Sequence, residues 1–235
     1  MSKASTVSVV LPCRNQADHI AQVLRRYLAP LDALGLPFEL VVVPNASTDG
    51  TARVVEEVAA GDPRIRVVAS AAGGWGRSVR AGLDAAAGDV LVYTNTARTD
   101  PAALPAFVRR YLDEAPCLVK ASRRARQAPL RQLGSLLYNL EGRLLFGLRC
   151  GDVNGTPKVF ARDLYERLRP SADGDLLDLE LVAGASRLGT RVVEVSVTGF
   201  RRHGGRSSTT LRSAWRMYTG AVKLWLKASY GGIHG

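Results

Sequence analysis

Short apolar, β-branched runs alternate with helical patterns along the first hundred residues, and this alternation restricts the possible folds more than any other feature of the sequence. The predicted strands cover residues 7–11, 39–43, 65–68 and 90–94, and the intervening predicted helices cover residues 17–28, 50–58 and 77–87. Strands separated by helices at this interval predict βαβ units around a mostly parallel sheet. Ligands bind at the carboxyl ends of such strands, so we expect a site in the loops after Leu11, Val43 and Thr94.

The second half of the chain carries a different pattern. Pro101 opens a further helix, residues 118–122 form the next predicted strand, and a long helical pattern ends near Phe146. Later strands are predicted at residues 159–160 and 192–197, with a helix over residues 176–188 between them. Since the sequence has no repeat, low-complexity tract or linker, it predicts one domain over residues 1–208, followed by a basic amphipathic helix and tail over residues 209–235.

Composition bounds the class of protein. The chain is 46% hydrophobic and 23% charged, which are ordinary globular values. Cys13, Cys117 and Cys150 lack the spacing of a zinc site, so we expect reduced thiols in a cytoplasmic protein. No signal peptide is recognisable, and no run approaches the roughly 20 apolar residues that span a bilayer. The net charge of +11 is compatible with phosphorylated small molecules, nucleic acid or anionic membranes as partners.

Six segments occur in an order that is typical of a known family. They are VSVVLPCRN, ELVVVPNASTDGT, GGWGRSVRAGL, AAAGDVLVYTNTARTDP, GDVNGTPKVF and DLLDLELV. Over residues 5–208 the chain resembles family 2 glycosyltransferases of the GT-A fold, in particular the polyprenyl-phosphate glycosyltransferase (dolichol-phosphate-mannose-synthase-like) branch. The resemblance implies a single α/β domain with a Rossmann-like, mostly parallel sheet flanked by helices. It also implies inverting transfer of a sugar from a nucleotide sugar or a polyprenyl-phosphate sugar to a polyprenyl phosphate or small-molecule acceptor.

The departures from the family pattern concern carboxylates. The family's Asn-Glu is Asn15-Gln16 here, its Asp-Asp-Gly-Ser is the segment 44–47 (PNAS), and its Asp-x-Asp is the segment 95–97 (NTA). Magnesium and manganese bind through carboxylate oxygens and substrate phosphates. Asn95 offers one neutral oxygen and Ala97 offers no ligand atom. The sequence therefore predicts no cofactor and a metal-independent reaction.

Two interpretations of this loss remain open. In the first, cationic side chains neutralise the leaving group in place of the metal. The candidates are Arg77, Arg80, Arg123, Arg124, Arg131, Lys158, Arg201, Arg202 and Arg206. In the second, the chain is a catalytically silent or repurposed GT-A protein that binds a ligand or assists an active enzyme. A nucleic-acid-binding function rests on charge alone, and without a recognition signature we expect no nucleic-acid partner.

The resemblance assigns the candidate site residues. Donor binding is assigned to Pro12, Arg14, Asn15, Asn45, Ser47, Asp49, Gly74, Gly76, Arg80, Asn95 and Ala97. Acceptor or phosphate binding is assigned to Arg123, Arg131, Ser135, Lys158, Arg202 and Arg206. Each arginine could equally be a solvated surface charge. The candidate bases are Asp152, Asp178 and Glu180, although an acceptor that is already an ionised phosphate needs no base. Carboxylates at a helix start can instead serve the helix dipole.

The C-terminal segment is a candidate membrane element. Over residues 209–230 the apolar side chains, including Trp215 and Trp225, follow one side of a predicted helix, and the cations are Arg212, Arg216, Lys223 and Lys227. Such a helix can lie on an anionic bilayer, which suggests peripheral contact at the inner membrane surface. Alternatively, the helix packs on the domain or on a second subunit. No pattern in the sequence predicts an oligomeric state.

Overall fold

The computed structural model describes residues 5–70, 72–123, 129–197 and 211–230. For residues 129–131, 211–214 and 228–230, the structure describes the backbone but not the side chains. The described ranges include the strands of the sheet, the loops after β1, β2 and β4, and the backbone of the C-terminal helix.

The first half of the chain forms the predicted βαβ units. The strands are β1 (Val7–Cys13), β2 (Phe38–Pro44), β3 (Ile65–Val67) and β4 (Val90–Tyr93). The helices are α1 (Ile20–Asp32), α2 (Thr51–Ala60), α3 (Trp75–Ala85) and α4 (Leu104–Glu114), and a 3₁₀ turn over Pro101–Ala103 precedes α4. β1 pairs in parallel with both β2 and β4, and β2 pairs in parallel with β3. The prediction of a mostly parallel sheet between helices is confirmed.

The second half completes the sheet. It consists of β5 (Cys117–Arg123), α5 (Pro129–Phe146), β6 (Lys158–Ala161), α6 (Arg162–Leu168), α7 (Leu177–Arg187), β7 (Arg191–Val197) and α8 (Leu211–Tyr230). The strand order in the described sheet is β3-β2-β1-β4-β6-β5-β7. β6 runs antiparallel to both of its neighbours, and β7 runs parallel to β5. The first residue of β6, Lys158, consequently lies opposite Tyr93, at the carboxyl end of β4.

The core lies on both faces of the sheet. Every residue of β1 is buried, and alternate side chains enter two apolar clusters. Val9 and Leu11 pack with α1 and α4, whereas Val10 packs with α3 and α7. A strand that is covered on both faces must be apolar throughout, which explains the continuous β-branched runs in the sequence.

Several element boundaries differ from the predictions. α1 begins at Ile20 rather than residue 17, and α6 was not predicted. α2 begins at Thr51, and its N-cap is Gly50, which has no capping side chain. Among the helices of the described residues, none combines the length and apolar character that crossing a membrane requires.

Candidate active site

Neutral hydrogen bonds join the loops that follow β1, β2 and β4. The backbone N–H of Asn45 donates to the Cys13 carbonyl at 2.8 Å. Gln16 Nε2 donates to Thr96 Oγ1 at 3.0 Å, and that hydroxyl donates to the Pro12 carbonyl at 2.9 Å. Gln16, Asn45 and Thr96 are buried, so these bonds are sheltered from water. The carboxyl edge of this half of the sheet is thus closed by amides and hydroxyls.

Asn15 and Ser47, both predicted to bind the donor, connect the first two loops. The backbone N–H of Asn15 donates to Ser47 Oγ at 3.1 Å, and the N–H of Thr48 donates to Asn15 Oδ1 at 2.9 Å. Asn15 has a φ of 49°, in the left-handed region that asparagine tolerates better than most residues. Both side chains therefore have a clear role in shaping the loops.

Asp49 ties the start of α2 to the first loop. Its carboxylate accepts from the backbone N–H groups of Ala17 and Thr51, each at 3.0 Å. Desolvation opposes ionisation, but the hydrogen bonds from Thr51 and Ala17 outweigh it and lower the pKa of Asp49. The carboxylate is consequently held in its charged form.

The two glycines predicted to bind the donor permit a close approach of the segment 172–174. A Cβ on Gly74 would lie 2.5 Å from the Asp173 carbonyl oxygen, and a Cβ on Gly76 would collide with the Ala172 carbonyl oxygen. Gly74 also has a φ of 147°, and its N–H donates to Asn45 Oδ1 at 3.0 Å. Asn45, another predicted donor residue, thereby fixes the start of α3.

The arginines near these loops differ in whether an acidic side chain neutralises their charge. Arg77 and Arg80 both form ion pairs with Asp173. Arg14 is exposed and makes no ion pair within the described part of the chain. Its guanidinium lies beside the glycine turn, since a Cβ on Gly73 would be 4.0 Å from Arg14 Nη1. Arg14 is thus a cation at this edge that is not neutralised by a described acid.

The loop that matches the family's Asp-x-Asp does not suit a divalent cation. Asn95 Oδ1 accepts from the N–H of Ala97 at 3.0 Å, and the Asn95 carbonyl accepts from the N–H of Thr99 at 2.9 Å. Ala97 is buried and has no ligand atom. Across the described ranges, no group of three or more His, Cys, Asp or Glu side chains is arranged to hold a metal ion. The residues present therefore do not fit the family's metal site.

Charged groups occupy the other half of the same edge. Lys158 is completely buried and forms an ion pair with the buried carboxylate of Asp178. Asp178 also accepts from the Tyr93 hydroxyl at 2.7 Å and from Trp75 Nε1 at 3.1 Å. Burial lowers the pKa of Lys158 against the opposing influence of Asp178. Burial, reinforced by Asp178, raises the pKa of Tyr93 well above its ordinary value.

Arg123 and Asp152 form a second ion pair beside a small cavity. Arg123 donates through Nε at 2.6 Å and Nη2 at 2.8 Å to the two carboxylate oxygens of Asp152. Burial disfavours the guanidinium charge, but Asp152 outweighs it and raises the pKa of Arg123. The pair lines a cavity of about 90 Å³ together with Gln132, Ser135, Leu136, Asn139 and Gly151. Two predicted acceptor residues, Arg123 and Ser135, are thereby brought together with Asp152.

A third ion pair was absent from the sequence analysis. Lys120 is completely buried in β5, opposite Lys158, and its Nζ donates to Glu194 Oε1 at 2.9 Å. Glu194 also accepts from the backbone N–H of Gly151 at 2.8 Å, so this pair positions the loop that carries Asp152. A lysine in the middle of the predicted strand, directly after Leu118 and Val119, was the available signal, because a buried ammonium requires a partner.

The family model for glycosyl transferase family 2 matches residues 8–169. The chain belongs to glycosyltransferase family 2. Glycosyltransferase AglD of Haloferax volcanii is 32% identical over 81% of this chain and 32% of its own length. Undecaprenyl-phosphate 4-deoxy-4-formamido-L-arabinose transferase of Pseudomonas fluorescens is 27% identical over 69% of this chain and 48% of its own length. This family 2 chain thus spans between a third and a half of the length of these relatives.

Solved structures support the fold. Glucosyl-3-phosphoglycerate synthase from Mycobacterium tuberculosis, in complex with Mn²⁺, uridine diphosphate and phosphoglyceric acid, has a TM-score of 0.74 and 24% identity. The match covers 95% of this chain and 78% of that one. Together with the observed sheet, it confirms the GT-A fold expected from the sequence.

The remaining predicted site residues of this family 2 chain either hold a loop or lie outside the described residues. Glu180 accepts from the backbone N–H groups of Ser171 at 2.9 Å and Ala172 at 2.8 Å, so it holds the loop before α7. The side chain of Arg131, and all of Arg124, Arg201, Arg202 and Arg206, lie outside the described residues. The donor, acceptor and catalytic roles assigned to individual residues stay predictions.

Proposed function

We propose that this protein transfers a sugar from an activated phosphate-bearing donor, a nucleotide sugar or a polyprenyl-phosphate sugar, to an acceptor phosphate. In the transfer, an acceptor oxygen forms a bond to the anomeric carbon while the bond from that carbon to the donor phosphate breaks. The acceptor is a polyprenyl phosphate or a small phosphorylated molecule. With a polyprenyl phosphate the reaction occurs in the cytoplasm at the inner membrane surface.

The observation that carries this proposal is the cavity beside Arg123. Its volume of about 90 Å³ is on the order of a few water molecules. A planar guanidinium and the Ser135 hydroxyl suit the oxygens of a phosphate group. Asp152 orients the guanidinium before a ligand arrives, and its carboxylate also offsets part of the Arg123 charge, as Asp173 does for Arg77 and Arg80.

The state of the candidate bases favours a phosphate acceptor over a hydroxyl acceptor. Asp178 already accepts from Trp75 and Tyr93 and is paired with Lys158. A substrate hydroxyl would have to displace one of these donors before Asp178 could take its proton. An ionised phosphate attacks without a base, so the carboxylates can remain in their ion pairs.

On the donor side we propose a leaving group that is neutralised without a divalent metal. Arg14 lies beside the glycine turn and has no ion-pair partner among the described residues. A cation close to a developing phosphate charge lowers the barrier, as a metal ion would. Arg77 and Arg80 contribute less, since Asp173 already balances them.

A second candidate function is binding without turnover, as a silent or repurposed family member. The ion pairs of Arg77 and Arg80 with Asp173 favour it, because they reduce the positive charge available to a leaving group. In that case the protein would bind a donor or an acceptor and show no transfer.

The test measures binding and transfer separately. Calorimetry against a panel of nucleotide sugars and polyprenyl-phosphate sugars, with Mg²⁺, Mn²⁺ or EDTA, identifies the donor and its metal requirement. Transfer of a radiolabelled sugar is then compared between a polyprenyl phosphate and the matching polyprenol. We expect binding that survives EDTA and transfer to the phosphate alone. Binding without transfer to any acceptor would favour the silent protein.

A variant of Arg123 tests the assignment of this residue to the acceptor phosphate. Arg123→Ala should reduce transfer to the phosphate acceptor by about 100-fold, a typical loss for a charged contact of roughly 3 kcal/mol. Donor affinity should remain within about twofold because Arg123 lies on the other half of the edge. The control Arg162→Ala removes a partly buried arginine that donates to the Gly88 carbonyl, away from the cavity. Equal losses in both variants would contradict the assignment.

A further inference from the structure

One face of α5 is apolar and exposed. Five leucines on this helix are between 49% and 76% exposed, and they are Leu133, Leu136, Leu137, Leu140 and Leu144. Their spacing places them on a single stripe of an α-helix. The opposite side of α5 carries Tyr138, Asn139 and Gly142, which are buried against the body of the protein. Contiguous exposed apolar patches of this kind mark interaction sites.

α8 lies beside α5 and continues the surface. The Tyr218 hydroxyl on α8 donates to the Gly134 carbonyl on α5 at 2.7 Å, and the rings of Tyr138 and Tyr218 pack edge to face. The exposed apolar residues of α8 are Trp215, Val222 and Leu226. Exposed cations border them at the same spacing, namely Arg216, Lys223 and Lys227. We call these leucines of α5, with the apolar and cationic residues of α8, the α5–α8 surface.

We propose that the α5–α8 surface docks on an anionic lipid bilayer. The proposal rests on charge complementarity, since α8 contains no Asp or Glu and α5 contains Glu141 as its single acid, which is not exposed. The carboxylate of Asp175 influences Arg216, but Lys223 and Lys227 form no ion pair within the described ranges. Apolar side chains flanked by cations bind the headgroup region of anionic membranes.

A second copy of this chain fits the surface less well. A two-fold interface sets the same patch against itself, so it would bring together the cations of both copies on a surface whose two helices offer no exposed acid to pair with them. Such an excess of like charge is unfavourable across an interface. The neighbouring segments 124–128 and 198–210 contain few apolar residues, so they provide little material to cover five leucines.

The surface adjoins the proposed acceptor cavity. Leu136 belongs to the exposed stripe and also lines the cavity with Arg123 and Ser135. A lipid phosphate that enters the cavity from the bilayer would therefore follow α5. This link rests on the proposed function, whereas docking itself is measured without donor or acceptor.

Vesicle sedimentation tests the docking. The full chain is mixed with vesicles of phosphatidylcholine alone or of phosphatidylcholine with phosphatidylglycerol. We expect binding to the anionic vesicles that weakens as salt is raised. The Lys223→Glu, Lys227→Glu double variant should bind about 30-fold more weakly or worse, since each cation near the membrane contributes roughly 1 kcal/mol. Leu137→Gln with Leu144→Gln should weaken binding about tenfold, through loss of inserted apolar area.

Matched control variants test whether vesicle binding depends on the α5–α8 surface or only on the overall charge and hydrophobicity of the protein. Arg25→Glu with Arg53→Glu makes the same change in charge on α1 and α2, and Leu112→Gln removes an exposed leucine of α4. These variants should bind within about twofold of the original protein. Failure of the original protein to sediment, or equal weakening by the controls, would overturn the proposal.

Analytical ultracentrifugation without lipid tests the alternative that a second copy of this chain occupies the α5–α8 surface. A dimer that is lost in the Leu137→Gln, Leu144→Gln variant would assign the surface to a second copy and overturn membrane docking. Donor binding by calorimetry should be the same in every variant of the α5–α8 surface. If a variant loses docking but still binds the donor, the proposed function is unaffected. If the protein docks on vesicles but binds no donor, the docking proposal is unaffected.

Discussion

The two halves of the sheet edge are built from different chemistry. After β1, β2 and β4, buried amides and hydroxyls such as Gln16 and Thr96 join the loops. After β5 and at the start of β6, buried ammonium and carboxylate groups such as Lys158 and Asp178 form ion pairs. We refer to the two halves as the donor half and the acceptor half, after the roles proposed above. The comparison shows that loops at one sheet edge can be held mainly by neutral hydrogen bonds in one half and by buried ion pairs in the other.

The largest effect should follow from breaking an ion pair in the acceptor half. Asp178→Ala leaves Lys158 buried without a partner, which should lower the free energy of unfolding by about 3–5 kcal/mol. Urea denaturation measures the change. The control Asp173→Ala breaks the exposed pairs with Arg77 and Arg80 and should cost less than about 1 kcal/mol. Similar losses for the two variants would mean that burial does not distinguish these ion pairs.

A smaller effect should follow from breaking a neutral bond in the donor half. Thr96→Val removes the hydroxyl that accepts from Gln16 and donates to the Pro12 carbonyl. Two buried polar groups then lack a partner, so the free energy of unfolding should fall by about 2 kcal/mol. Thr48→Val, at an exposed position of the same loops, should change it by less than about 0.5 kcal/mol. A loss as large as that of Asp178→Ala would erase the distinction between the two halves.

Restoring carboxylates to the donor half would sharpen the comparison. The double variant Asn95→Asp, Ala97→Asp supplies hard oxygen ligands in the loop that matches the family's metal motif. In the presence of donor, Mn²⁺ affinity should rise at least about tenfold, or roughly 1.4 kcal/mol. Calorimetry provides the measurement, and Ala102→Asp adds a carboxylate at an exposed position nearby as the control. Unchanged Mn²⁺ affinity would mean that more than these side chains has been lost.

The smallest expected effect is a change in acid sensitivity, rather than a change in stability at neutral pH. Burial opposes ionisation of Glu194, but Lys120 and the N–H groups of Gly151 and Asp152 outweigh it, so its pKa is lowered. A carboxyl group whose folded-state pKa lies below the unfolded one stabilises the protein above that unfolded pKa, about 4.3 for glutamate. This contribution is lost as pH falls through the folded-state pKa.

Glu194→Gln tests this contribution. The variant should be less stable than the original protein near neutral pH, and its stability should fall less between about pH 5 and pH 3. Unfolding curves across that range measure it, with exposed Glu56→Gln as the control. A variant that keeps the full acid sensitivity would assign it to other carboxyl groups.

The sequence was informative where structure depends on local pattern. Continuous apolar runs located β1, β2 and β4, and their loops met at one edge as expected. The contacts that organise the site join residues far apart in the chain. Trp75 and Tyr93 reach Asp178, which is 103 and 85 residues away, so no local periodicity can reveal the bond. Family resemblance named Asp178 as a candidate but not its partners.

Other contacts were hidden from the sequence for the same reason. The role of Arg77 and Arg80 in neutralising a leaving group stays a prediction, but the sequence did not reveal that Asp173 pairs with both, in a loop that Gly74 and Gly76 allow to approach α3. The exposed stripe on α5 was not predicted either. A helical run of leucines is usually a core face, and only the packing of the opposite side reveals that this one faces outward.

The reversed direction of β6 has a consequence for how this protein can vary. Lys158 comes from the start of a strand, and it is fixed beside Lys120 by strand pairing rather than by the shape of a loop. The alignment of β6 with β5 is therefore what keeps these two buried lysines side by side. A shift of that alignment by one residue would turn the Lys158 side chain to the opposite face of the sheet and separate it from Asp178. The charged half of the edge thus depends on the register of a single strand as well as on the loops that surround it.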